Sequence, residues 1–190
     1  LLPARIAGVD IDAFCQGGRS VLSSLTEGSM VGHPVIRGAC FVAQMLQLSP
    51  MNHVTMPYSV ALHWYARWYA QLVSESLGKE GRGVMPLAGL GPQDGPKNNA
   101  FTIISCEDTF DTKEEVYKNL HETVNKEKEA LCLMLRKHGL PYRVISLPNN
   151  GAFELGLLAM QSILEVILAA RAHGINPFNQ PAVEGMKAAI

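Results

Sequence analysis

Hydrophobic residues recur at helical spacing from Val60 to Lys79, VALHWYARWYAQLVSESLGK, with no internal Pro and no Gly before Gly78. Ala61, Tyr65, Trp68 and Leu72 form one stripe; Leu62, Tyr69 and Val73 form a second. A recurrence of three to four residues, with strict alternation failing, predicts a helix. Gly78 predicts its stop. Both tryptophans, Trp64 and Trp68, lie here, so this is expected to be the best-buried helix.

The same pattern organises the rest of the chain. Leu1 to Leu25 reads as helical, with Gly8, Gly17 and Gly18 as punctuation. His33-Pro34 opens a helix from Val35 to Leu48. Asn52 to Tyr58 is a short β-prone run closed by a Pro, hence a strand. Gly81 to Gly95 is loop, with at most a short strand at Val84 to Leu87. FTIISC at Phe101 to Cys106 and YRVISL at Tyr142 to Leu147 are strands rich in branched residues. Thr112 to His138 is one long helix. Its charged outer face carries Glu114, Glu115, Lys118, Glu122, Lys126 and Lys128; Tyr117, Leu120, Val124, Leu131 and Leu135 face inward. Gly151 to His173 is a nearly all-apolar helix, read as buried because Glu154, Glu165 and Arg171 interrupt it. A Pro-rich turn and a last short helix close the chain.

Helices alternating with short apolar strands imply crossover connections, and so an α/β fold with a mainly parallel sheet covered on both faces. Such sheets bind ligands beyond the carboxyl ends of their strands. The loop from Gly81 to Gly95 is therefore a candidate wall of a site.

Composition narrows the function. The 190 residues, 47% hydrophobic and 17% charged, suit a single domain spanning 1–190. A net charge of −1 and a pI near 6.6 give no argument for nucleic acid or an anionic membrane surface. The short apolar start LLPARIAGVD contains Arg5 and does not read as a signal peptide. It looks like the opening of an excised domain. Cys15, Cys40, Cys106 and Cys132 are widely spaced, without metal-ligand spacing, and read as buried reduced thiols in a cytoplasmic protein. The six histidines form no HExxH or HxxH pair, so no metal site is expected.

Two places carry candidate chemistry. Gln71 and Glu75 are one turn apart and share a helix face near its C-terminal end. The helix dipole there favours the protonated carboxyl, which suits a general base working near neutral pH. Glu75 and Lys79 as a surface pair is the plain alternative. In NPFNQPAVEGMK, Pro181 fits the first turn of a helix, Gln180 its cap, and Lys187 lies two turns on. Gln180 and Lys187 could face a polar or anionic ligand together; an ordinary cap and a surface lysine remain open.

ESLGK at Glu75 to Lys79, preceded by WYAQL, resembles the C-terminal half of the glucose-6-phosphate isomerase family. NPFNQPAVEGMK is similar to that family's Phe-Asp-Gln-x-Gly-Val-Glu-x-x-Lys signature, and LLPARIAGVDID resembles the opening of its second sugar-isomerase (SIS) domain. The three landmarks occur in family order along nearly the whole chain. The resemblance implies a three-layer αβα SIS domain. It implies cytoplasmic interconversion of glucose 6-phosphate and fructose 6-phosphate, in glycolysis and gluconeogenesis, with no metal or organic cofactor. It assigns Glu75 as the base that moves a proton between C1 and C2 through a cis-enediol. Lys187 assists ring opening, while Gln71 and Gln180 line the sugar-phosphate site. It also implies a homodimer whose catalytic His comes from the partner subunit.

The chain departs from the family in three ways. In the last signature, the family's Asp is Asn179 and its Gly is Ala182, both mild changes. Between Gln93-Asp94 and Gly95-Pro96-Lys97, a family segment bearing a ring-opening His is absent. The expectation is that a loop is missing from the sequence at that junction. A bonded Cα separation of about 3.8 Å from Asp94 to Gly95 would instead mean a true deletion, leaving ring opening in doubt. Finally, nothing matches the first SIS domain, with its phosphate loop and catalytic Arg, so the 190-residue fragment alone is expected to be inactive. The alternative function is a non-catalytic SIS module that binds a sugar phosphate.

Overall fold

The computed structural model describes residues 1–48, 51–79, 83–89, 98–107 and 115–179. Its elements are α1 (Leu2–Ile6), α2 (Ile11–Glu27), α3 (Pro34–Gln47), β1 (Asn52–Pro57), a 3-10 turn (Val60–Leu62), α4 (His63–Leu77), β2 (Met85–Ala88), β3 (Asn99–Cys106), α5 (Glu115–Lys137), β4 (Tyr142–Leu147) and α6 (Ala152–Ala172). Periodicity therefore located the described elements to within a few residues. The Asp94–Gly95 junction, Gln180, Lys187 and the expected last helix lie outside the described residues.

The strands form one sheet in the order β2-β1-β3-β4. β1 pairs with β3 and β3 with β4, both parallel. β2 meets β1 through the N–H of Met85 to the carbonyl of Met51 and the N–H of Gly89 to that of Thr55, each 3.0 Å. Both strands advance four residues between these bonds, as parallel neighbours do. The chain divides into two compact units, one of Leu1–Met51, Gln71–Met85 and Ala152–Ile190, the other of Asn52–Ala70 and Pro86–Gly151.

In the second unit, alternation along the strands sorts the side chains. Val54 and Met56 stand in register with Phe101 and Ile103. Val54, Phe101 and Ile103 pack with Leu131 and Leu135 of α5 into a buried core, with Met56 against it. Burying each of these side chains is worth about 1.5–3 kcal/mol. On the opposite face His53, Thr55 and Thr102 are buried, and Tyr69 of α4 meets the His53 ring edge-on at 5.4 Å. A helix thus lies on each face of a parallel sheet, which is the expected three-layer αβα arrangement. Leu140 N–H closes α5 by bonding to Leu135 O at 2.9 Å, with Gly139 at φ 65° supplying the left-handed turn.

In the first unit α6 packs against both α2 and α3. By length and composition α6 could cross a membrane, but Glu165 within it is fully buried and accepts a bond from Gln161 at 2.8 Å. That is how a core helix carries a carboxylate. Asp10 caps α2 by accepting the Ala13 N–H at 2.9 Å. Gly17 and Gly18 do not punctuate α2 as the sequence suggested; both are buried inside it. A Cβ on Gly17 would fall on the carbonyl oxygen of Phe153 in α6, and one on Gly156 would fall on that of Phe14 in α2. The two helix backbones touch, and glycine is what lets them.

Three further expectations are corrected. Trp64 is 71% exposed and Trp68 37%. The buried stripe here is Leu62, Ala66, Tyr69, Val73 and Leu77, so the helix turns its second stripe inward and its tryptophans outward. Arg67 lies over the Trp64 ring, 5.3 Å from its centre. Leu120, assigned to the inner face of α5, is half-exposed. Of the four free cysteines only Cys106 is buried, and Cys40 is exposed.

Candidate functional site

α4 brings Gln71 and Glu75 together because residues four apart share a helix face. The Gln71 side-chain N–H donates to a Glu75 carboxylate oxygen at 2.8 Å. Both residues are exposed, so the carboxylate is held by an amide and still reachable from solvent. A carboxylate oriented this way can accept a proton from a bound carbon acid.

One turn further on, the Lys79 ammonium donates to three oxygens: the carbonyl of Asn176, the carbonyl of Asn179 at 2.5 Å, and the Asn179 side-chain oxygen at 2.8 Å. Burial lowers the Lys79 pKa from its ordinary value. The ammonium has three donors and three acceptors, so the simple Glu75–Lys79 surface pair is not what forms. Asn176 shapes the turn from within, its side-chain oxygen accepting the Phe178 N–H at 3.0 Å. The two stretches singled out in the sequence, Glu75 to Lys79 and the segment from Asn176, therefore meet at Lys79. Asn179 is the last described residue before Gln180. The sequence placed Lys79 inside a motif but gave it no partner 97 residues away; the repeated Asn in NPFN was the available signal.

The second unit holds a different polar group that the sequence did not flag. His53 Nε2 and Thr102 Oγ1 share a hydrogen bond of 2.7 Å. Arg143 Nε donates to Thr102 Oγ1 at 2.9 Å, and an Arg143 terminal N–H reaches the Tyr69 hydroxyl at 3.4 Å. Burial and, after it, the Arg143 charge push the His53 pKa down to about 3. His53 is therefore a neutral hydrogen-bonding group at ordinary pH, not an acid–base catalyst. The same unit contains a pocket of about 790 Å³ beyond the carboxyl ends of β1 and β3. Tyr58, Cys106, His121, Asn125 and Asn150 line it, as does Gly89 from the loop the sequence marked as a wall. Its lining is drawn wholly from this unit. Among the described residues no group of three or more His, Cys, Asp or Glu could hold a metal ion.

No family profile matches the chain. It is 31% identical over 211 positions to the glucose-6-phosphate isomerase of Rubrobacter xylanophilus, a match covering 98% of this chain and 49% of that enzyme. Those 211 positions exceed the chain's 190 residues, so the relative carries residues in this span that the chain lacks. The chain spans about half the length of the curated relatives it matches. In structure it resembles a hypothetical protein from Thermus thermophilus, with a TM-score of 0.82 at 24% identity over 99% of this chain and 51% of that one. A glucose-6-phosphate isomerase from Chlamydia trachomatis matches with a TM-score of 0.75 at 16% identity over 93% of this chain and 41% of that one. These two structural likenesses establish the shared fold.

Proposed function

We infer the function from one premise: this chain is a relative of the glucose-6-phosphate isomerases along nearly its whole length. The reading is a glycolytic aldose–ketose isomerase that interconverts glucose 6-phosphate and fructose 6-phosphate in the cytoplasm. Residues 1–190 are one SIS-type domain, the C-terminal half of the enzyme. It works as a homodimer, with a first SIS domain supplying the phosphate loop. No metal or organic cofactor takes part. Glu75 removes the proton from C2 of the open aldose, and the electrons shift to give a cis-enediol. The same carboxyl then returns a proton to C1, leaving the ketose. Lys187 assists ring opening, and Gln71 and Gln180 hold the sugar phosphate.

The observation that carries this reading is the Gln71–Glu75 bond of 2.8 Å on an exposed helix face. A nucleophile or a buried ion pair would need a different setting. A carboxylate steered by a neighbouring amide is what proton transfer at carbon requires.

The test is Glu75→Gln in the longest form of the protein that can be expressed. Turnover in a coupled assay should fall by about 10²–10⁴-fold or more, with sugar-phosphate affinity retained. Exchange of solvent deuterium into C2 should fall with it. Full turnover in the variant rejects Glu75 as base. Wild-type protein that binds the sugar phosphate without converting it favours the non-catalytic binding module.

A further inference from the structure

Lys79 stands outside every role assigned above, yet its ammonium meets two backbone carbonyls and one side-chain oxygen within a turn of four residues, Asn176 to Asn179. The turn is already shaped by its own Asn176–Phe178 bond, so Lys79 is not needed to form it. What Lys79 adds is a tie between that turn and the C-terminal end of α4, across 97 and 100 positions of sequence. Only a cation with three donors satisfies three converging oxygens at once. Charge-assisted bonds of this kind are roughly twice as strong as neutral ones.

The consequence follows from where the tie is placed. It begins one turn past Glu75, just beyond the helix that carries Gln71 and Glu75. It ends on the residue that precedes Gln180. We propose that Lys79 is a positioning residue for the isomerase site: it fixes where the chain enters Gln180 relative to the base, without touching the sugar. This rests on the isomerase reading above. A misplacement of about 1 Å between groups that must act together can cost about 10²-fold in rate. Loss of the tie should therefore appear in kcat more than in KM.

Two variants and two readouts test this. Lys79→Met keeps the length of the side chain and removes the donors; Lys79→Arg keeps the charge. In the longest active form of the protein, Lys79→Met should lower kcat by about 10–100-fold per folded molecule, with KM changed less. Lys79→Arg should recover part of the loss. In the 190-residue chain, backbone amides of residues 178 and 179 should exchange hydrogen faster in Lys79→Met than in the wild type. A purely structural role would change the melting temperature and leave kcat per folded molecule intact, and that result overturns the proposal. Equal exchange at 178 and 179 in wild type and Lys79→Met overturns the tie itself, whether or not the isomerase reading stands. Absence of turnover in the wild type overturns the isomerase reading, and with it the catalytic consequence given to Lys79.

Discussion

His53 shows how one buried side chain couples the fold to pH. Its folded-state pKa is about 3, against 6.5 for the free group, because burial and Arg143 disfavour the imidazolium. The unfolded chain takes up a proton below pH 6.5 and the folded chain does not until about pH 3. Proton uptake thus favours unfolding, so this contribution to stability is complete above pH 6.5 and is lost as pH falls toward 3. The slope in that window is up to about 1.4 kcal/mol per pH unit. Urea denaturation at several pH values measures it. His53→Gln keeps a partner for Thr102 and removes the titration, so its stability should fall less steeply over the same range. An unchanged slope would assign the acid sensitivity elsewhere. The residue types at the site were legible in the sequence: spacing put Gln71 and Glu75 on one face, and they are bonded. The His53–Thr102–Arg143–Tyr69 group was not, because its members come from three strands and a helix that only the sheet register brings together.

At the scale of elements, the Gly17-Gly18 pair separates what pattern can and cannot tell. Both lie inside α2. A methyl at Gly18 meets nothing nearer than 3.6 Å, whereas at Gly17 it collides with the Phe153 carbonyl. Gly18→Ala should therefore be neutral or stabilising by up to about 1 kcal/mol, the usual helix gain over glycine. Gly17→Ala should force α2 and α6 apart and cost about 3 kcal/mol despite the same gain. Thermal melts of the two variants check the contrast, and equal behaviour would mean the helices are not in backbone contact. The same limit applies to α4. Two apolar stripes were visible, and neither composition nor period said which one faces in. Tyr69 and Leu62 are buried while Trp64 is largely exposed, because the partner surface selects the face, and aromatic size does not.

For the whole molecule, the central fact is extent. The chain spans about half the length of the relatives it matches, and matches them along almost all of itself. A sugar-phosphate isomerase site needs anion-binding groups as well as a base. Family resemblance places the phosphate loop in the half not represented here. The 190-residue chain by itself should show no measurable turnover of glucose 6-phosphate in a coupled assay. Turnover comparable to that of a complete enzyme would mean that this half carries a whole site.

Helices and strands, the parallel α/β architecture and the likeness to sugar-phosphate isomerases were all readable before any coordinate was known. Those depend on local periodicity and on the order of motifs, both of which are written along the chain. Folding alone selected which stripe of α4 is buried and which glycine carries a helix contact. It also made His53 a neutral core group and joined Lys79 to the turn at Asn176 to Asn179. Each of these depends on atoms far apart in sequence meeting at a few ångströms, and no local pattern encodes a distance.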